Sequence, residues 1–290
     1  MAGFFVDVTG RSIVRLAGRE GLDLLQRIST NDILPLKSGE KLQTILTNDK
    51  GRIVDVVSVF PHGPDNLLLA GSNPAPAVLK GWIEKFIIME DLSITDVTPD
   101  YYELVLFGLE QNSKEFQAPP GADFVFEKWG SETLLRVIGD VGSFDAAVRK
   151  LNEGGIGKEL PGLFERYRIT KGIPVFPSEL STTYNPLEAG LDGMVSWTKG
   201  CYVGQEVIAR LDTYKKVQRK LVKLRLDKQP EQLPAMIFVQ SNEVGMLTSA
   251  SSMFNDESVG GLGYIKIGFV GLNEELLIRS GSESIRARLI

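Results

Sequence analysis

The chain has one cysteine, Cys201, in the stretch KGCYVGQEV, Lys199 to Val207, with Gly200 and Gly204 close by and Lys199 two residues before it. In the residues that follow, Val203, Val207, Ile208 and Leu211 fall on one face of a helix, which places the thiol just before a helix N-terminus. Helix amides and a lysine ammonium both favour a thiolate, and glycine lets the backbone turn sharply and approach a ligand. This pattern describes a reactive thiol. It leaves open a small, packed and inert one. A single thiol cannot close an internal disulfide, build a zinc finger or hold an iron–sulfur cluster by itself, so cluster chemistry at Cys201 would need a partner.

The remaining inventory for chemistry is thin. The only histidine, His62, lies in the turn-like FPHGPDN and reads as a solvated loop residue. The chain therefore lacks the groups for Cys–His, Ser–His–Asp or histidine–metal catalysis. Asp100 immediately precedes the apolar run YYELVLFGL; it is either an anion or proton acceptor at a pocket mouth or a plain loop aspartate. Glu188 follows an Asn-Pro turn in NPLEAGL, so its carboxylate either points inward to a ligand rich in N–H donors or sits in solvent. GGIGKEL has neither the spacing nor the Ser/Thr of a phosphate-binding loop.

Several elements must carry these residues. Strands are expected at Phe4 to Val8 and Ser12 to Leu16, and a helix from about Arg19 to Ile28, with Leu22, Leu25 and Ile28 near one face. Two apolar runs around Asn48-Asp49-Lys50-Gly51 read as a hairpin. Leu79, Trp82, Ile83, Phe86 and Ile87 mark a helix that Asn73 would cap and Pro74 would open. Strand-like segments at Leu92 to Val97, Tyr102 to Leu109 and Thr133 to Ile138 lead to a helix over Phe144 to Leu151, stopped at Gly154-Gly155. Beyond about residue 216 the texture becomes all β, with runs at 217–226, 236–239, 244–248, 263–267, 275–278 and 284–289 that read as a small antiparallel barrel.

A chain of 290 residues exceeds one ordinary core, so more than one domain is expected: 1–215 as a mixed α and β region, 216–290 as the barrel. With 43% hydrophobic and 24% charged residues it reads as a folded globular protein. No stretch has the length to span a bilayer and none reads as a secretion signal, so a cytoplasmic location without membrane partners is expected. A formal charge of −5 argues against broad nucleic-acid binding. The basic run Tyr214 to Leu226 alternates with apolar residues and suits a strand with one wet face.

KGCYVGQEV closely resembles the signature of the YgfZ-like branch of the folate-binding superfamily that includes the glycine-cleavage T-protein, an aminomethyltransferase. RYRITKGIPVFPSEL, NPLEAGLDGMVSWTKG, STNDI…LTNDKGRIVDV and VGMLTSA…GLGYI extend the resemblance over nearly the whole chain, in the family's order. It implies an α+β fold of two intertwined α/β domains followed by a C-terminal antiparallel β-barrel. It also implies tetrahydrofolate or a one-carbon derivative as cofactor, no permanently bound metal, and iron–sulfur client enzymes or assembly proteins as partners. Any link to tRNA modification would be indirect.

By position the resemblance makes Cys201 the functional thiol. Lys199, Gly200, Tyr202, Gly204, Gln205 and Glu206 are its motif neighbours, and with Glu188 they form the expected folate-binding set. Asp100 corresponds to the T-protein's catalytic aspartate. The T-protein's Gln-Gly-Pro turn is Phe-Gly-Leu here, around Gly108, and Thr170 replaces a folate-contacting glutamate. Both departures weaken the case for aminomethyl transfer. The function expected is thus a tetrahydrofolate-binding factor assisting iron–sulfur cluster assembly or repair through Cys201; the alternative is a one-carbon transferase using Asp100.

Overall fold

The short apolar runs FFVD and IVRLA form β1 (Phe4–Asp7) and β2 (Ile13–Ala17), and the turn between them sends consecutive strands into different sheets. The computed structural model describes residues 3–63, 65–109, 117–253, 258–271 and 275–290. After β2 come α1 (Gly21–Ile28), β3 (Leu42–Thr47), β4 (Ile53–Pro61), β5 (Asn66–Gly71), α2 (Pro76–Glu84) and β6 (Ser93–Asp96). One five-stranded sheet has the order β3-β4-β5-β2-β6. The chain then returns to the first sheet with β7 (Tyr101–Phe107), β8 (Ala122–Trp129), β9 (Glu132–Asp140), α3 (Phe144–Glu153) and β10 (Gly157–Lys158), in the order β10-β1-β7-β9-β8. Because β1 lies in one sheet and β2 to β6 in the other, the two α/β units are intertwined.

α4 (Leu163–Lys171) and α5 (Gln205–Thr213) follow, joined by a long segment of turns. The last third closes a barrel of β11 (Arg219–Leu226), β12 (Ala235–Val239), β13 (Asn242–Ser252), β14 (Val259–Lys266), β15 (Leu276–Ser280) and β16 (Glu283–Leu289). Its core is aliphatic, from Leu224, Ile237, Leu247 and Ile278 among others, and closure leaves no open edge. The mixed α and β region and the barrel agree with the sequence expectation.

The Asn48–Gly51 hairpin is present: Gly51 takes φ +65°, and Asn48 Oδ1 accepts the N–H groups of Lys50 and Arg52, each at 3.0 Å. The helix expected to open at Pro74 starts at Pro76 instead. Asn73 does not cap it; its Oδ1 accepts Ala75 N–H at 3.0 Å, a local turn two residues early.

The two sheets meet over a buried ionic network. Arg136 of β9 is 1% exposed and contacts Glu127 Oε1 through Nε at 2.5 Å and Glu103 Oε1 through Nη1 at 3.1 Å. It also donates to Gly71 O at 3.1 Å and Ser72 Oγ at 2.8 Å in the other sheet. Ser58 Oγ donates to Glu127 Oε1 at 2.5 Å and Trp129 Nε1 to Glu127 Oε2 at 3.1 Å. Asp55 lies beside this network, fully buried, its Oδ1 accepting the N–H groups of Val56, Ser72 and Asn73. Burial pushes its carboxyl up to about 6 against those hydrogen bonds.

Candidate functional site

The KGCYVGQEV stretch runs from the connection before α5 into its first turn and is fastened to the C-terminal end of α1 and to the β3–β4 turn. Lys199 Nζ donates to three main-chain carbonyls: Gln26 at 2.6 Å, Ser29 at 2.8 Å and Asn31 at 2.7 Å. These include the last turn of α1, where orphan carbonyls and the helix dipole both favour a cation. Burial lowers the Lys199 ammonium to about 8. The three protons of Lys199 are taken by these carbonyls, so the ammonium caps the end of α1 and donates no hydrogen bond to the thiol.

Gly204 is the residue on which the docking turns. Its φ is +84°, and a Cβ there would meet Asn48 O at 2.5 Å and Thr47 Oγ1 at 2.9 Å. Thr47 Oγ1 donates to Val203 O at 2.7 Å, and Val203 N–H donates to Arg27 O at 3.1 Å. The second glycine behaves differently. Gly200 is exposed, and a Cβ would meet nothing within 4 Å, so no close approach requires it in this structure.

Between these anchors Cys201 is exposed, with no donor to Sγ among the described residues. The residue after it turns inward: Tyr202 is buried against Val195 and Ile208, its hydroxyl pushed up to about 12 by burial, with Lys199 Nζ 5.2 Å from the ring centroid. Gln205 opens α5, its N–H donating to Tyr202 O at 3.1 Å, and Glu206 is an exposed first-turn carboxylate. The thiol thus precedes α5 by four residues, on a loop whose main chain is fixed on both sides.

Glu188 is 2% exposed and points inward, and the donors it meets belong to the protein. Arg52 Nη1 donates to Oε2 at 3.0 Å, Arg219 Nε to Oε1 at 3.2 Å and Asn185 N–H to Oε2 at 3.1 Å. The solvated-loop alternative is therefore overturned. Arg219 belongs to the barrel and stands 4.6 Å from the ring centroid of Tyr184, which stacks on Tyr264 at 3.6 Å. Glu188 ties the hairpin of the second sheet to the first barrel strand.

Asp100 ends a short 3-10 turn, Thr98–Asp100, and is exposed. Thr170 is turned to its own helix, Oγ1 donating to Arg166 O at 2.7 Å. His62 pairs with Asp123 at 3.1 Å, and that hydrogen bond, with Lys41 at 2.8 Å, holds the Asp123 carboxyl down at about 2.

A cavity of about 610 Å³ lies between the α/β region and the barrel. Trp129, Pro174, Leu191, Leu221 and Leu262 give it an apolar wall, and Lys171, Lys220 and Lys223 supply cations. The Ala189–Leu191 turn that Glu188 holds is part of this wall. Asp100 and Cys201 do not line it. Among the described residues no group of three or more His, Cys, Asp or Glu is placed to hold a metal ion, and no helix is long and apolar enough to cross a membrane.

No protein-family model matches the chain. Its fold matches that of the glycine cleavage system aminomethyltransferase T from Bartonella henselae with a TM-score of 0.81 at 16% identity, covering 99% of this chain and 85% of the other. The chain is 32% identical over 244 residues to a mitochondrial iron–sulfur cluster assembly factor IBA57 homolog of Mycosarcoma maydis, spanning 75% of this chain but only 56% of that relative. It is 26% identical over 232 residues to the tRNA-modifying protein YgfZ of Colwellia psychrerythraea, 75% of this chain and 70% of that one.

The chain is a YgfZ-like member of the T-protein superfamily. Within that superfamily fold, the buried Arg136, Glu103, Glu127 and Asp55 were not singled out from the sequence. Their signal is a lone charge inside a run that is apolar on both faces, as in YYELVLFGL and LLRVI. Here the opposite charges meet within one sheet, on the neighbouring strands β7, β8 and β9, and Arg136 reaches the other sheet through Gly71 O and Ser72 Oγ.

Proposed function

We propose that this YgfZ-like chain is a tetrahydrofolate-binding accessory factor that assists the assembly or repair of iron–sulfur clusters and supports tRNA modification indirectly. The observation that carries the reading is the exposed Cys201 on a loop anchored at Lys199, Val203 and Gly204. A thiol presented on a fixed main chain suits transient contact with a cluster, a metal or a partner thiol brought by another protein. The cluster is cargo here. Similarity to an iron–sulfur assembly factor and to a tRNA-modifying protein supports this assignment. Asp100, the residue that transfer would use, is exposed and does not line the interdomain cavity.

The interdomain cavity fits a reduced folate. Its volume lies in the usual range for small-molecule sites, its Trp129 and leucine wall suits pterin and aminobenzoyl rings, and its lysines suit the glutamyl carboxylates. In this reading Trp129, Lys171, Lys220 and Lys223 would hold the cofactor, which supplies one-carbon or reductive chemistry when bound. Glu188 shapes the wall through the turn that follows it. Isothermal titration with tetrahydrofolate tests the pocket: wild type binds, and exposed Lys220→Glu binds roughly 3–10-fold more weakly. Equal affinity in both proteins would remove the cavity from the assignment.

A further inference from the structure

Ile88 and Met89 are the most exposed large apolar side chains among the described residues, at 83% and 93%. Their loop is clamped. Glu90 Oε2 accepts the main-chain N–H groups of Ile88 at 2.8 Å and Met89 at 3.1 Å, and its Oε1 pairs with Arg27 Nη2 at 2.7 Å. The hydrogen bond from Arg27, helped by the main-chain donors, holds the Glu90 carboxyl down at about 2, so the clamp stays ionised at physiological pH. Leaving two such side chains in water forgoes the stabilisation that burying them would give. A loop hydrogen-bonded so as to hold them outward is a surface prepared for covering.

The clamp is joined to the thiol. Arg27, whose guanidinium grips Glu90, also accepts Val203 N–H through its carbonyl, two residues after Cys201. On the other flank Trp197 and Leu34 are exposed at 47% and 55%. They are fixed near the same end of α1 by Ser196 N–H donating to Thr30 O and by Lys199 Nζ donating to Asn31 O. Exposed apolar side chains are therefore carried by segments that are hydrogen-bonded to the Cys201 loop or to the end of α1 that anchors it.

Charge selects the occupant. Over residues 19–32 and 85–91 the five carboxylates Glu20, Asp23, Asp32, Glu90 and Asp91 outnumber the three cations Arg19, Arg27 and Lys85. A rim with excess carboxylate repels anionic lipid headgroups and attracts a protein surface edged with lysine or arginine.

Resting on the function proposed above, we infer that Ile88 and Met89, with Trp197 and Leu34, form the docking surface for the protein that exchanges a cluster or thiol with Cys201. That partner presents an apolar cleft with a basic rim. The test uses cells lacking this chain, supplied with wild type, Cys201→Ser or the double variant Ile88→Ser/Met89→Ser, and measures the activity of their iron–sulfur enzymes. The double variant is expected to fall to the level of Cys201→Ser, roughly tenfold or more below wild type, with an unchanged melting temperature and unchanged tetrahydrofolate affinity. Full rescue by the double variant while Cys201→Ser fails would overturn the docking surface and leave the proposed function standing. Rescue by both would overturn the function itself. Wild-type co-sedimentation with phosphatidylserine–phosphatidylcholine vesicles, or a dimer that the double variant abolishes, would overturn the choice of partner.

Discussion

At the scale of single residues, the motif separates into one group offered to the outside and several that hold it. Cys201 is exposed while Lys199 and Tyr202, on either side, are drawn inward. Replacing Lys199 by Met would leave three partly buried carbonyls without a donor and is expected to cost about 1–3 kcal/mol in urea unfolding. An unchanged midpoint would deny the capping role. Asp55 gives a pH dependence with a definite sign. Its folded carboxyl titrates at about 6 against an ordinary 3.8, so its contribution is fully present below 3.8 and is lost as pH rises through 6. Asp55→Asn retains an oxygen for the three N–H donors and should flatten that slope. It should stabilise the protein above pH 6 by up to about 3 kcal/mol; a variant less stable than wild type at pH 8 would contradict this.

At the scale of elements, the thiol loop exists because two turns fit into each other. Gly204, at positive φ, sits against Asn48 of the β3–β4 hairpin, where any side chain collides with main chain. Gly204→Ala is expected to cost roughly 2–4 kcal/mol and to loosen the 199–204 loop, seen as faster amide exchange at Val203. Wild-type stability in that variant would show the contact to be dispensable. The hairpin, α1, α3 and the barrel strands are legible in the sequence because each has a periodic apolar face or a turn signal. β5, β8 and α4 are not. β5 is apolar at nearly every position, like a buried helix segment, and β8 mixes charge with aromatics because Glu127 faces the ionic network. α4 buries Tyr167, Arg168 and Ile169 in succession, so no helical face stands out.

At the scale of the molecule, buried carboxylates join the barrel to the α/β region. Glu179, 0% exposed, accepts from Arg168 Nη1 at 3.0 Å on its own side and from Thr248 Oγ1 at 2.5 Å and Ser249 Oγ at 2.6 Å in the barrel. Tyr264 Oη donates to Glu179 O at 2.8 Å. Removing one partner of such a pair strands the other charge, so Glu179→Ala is expected to cost about 3–5 kcal/mol. It should also split thermal unfolding into a barrel step and a core step. One transition at the wild-type midpoint would exclude this coupling. These pins were hidden in the sequence because their partners lie 69 and 70 residues away, in a barrel whose register single-chain patterns do not reveal. Cys201, by contrast, stood out through its singularity and its glycines, although the lysine beside it proved to serve a helix end.

The function proposed for Cys201 requires that the thiol be open to solvent while the fold around it stays intact. Reaction of the native protein with Ellman's reagent measures this directly. One equivalent should react at close to its rate in urea, with no change in the far-ultraviolet circular dichroism. A thiol that reacts only once the chain is unfolded would contradict the account.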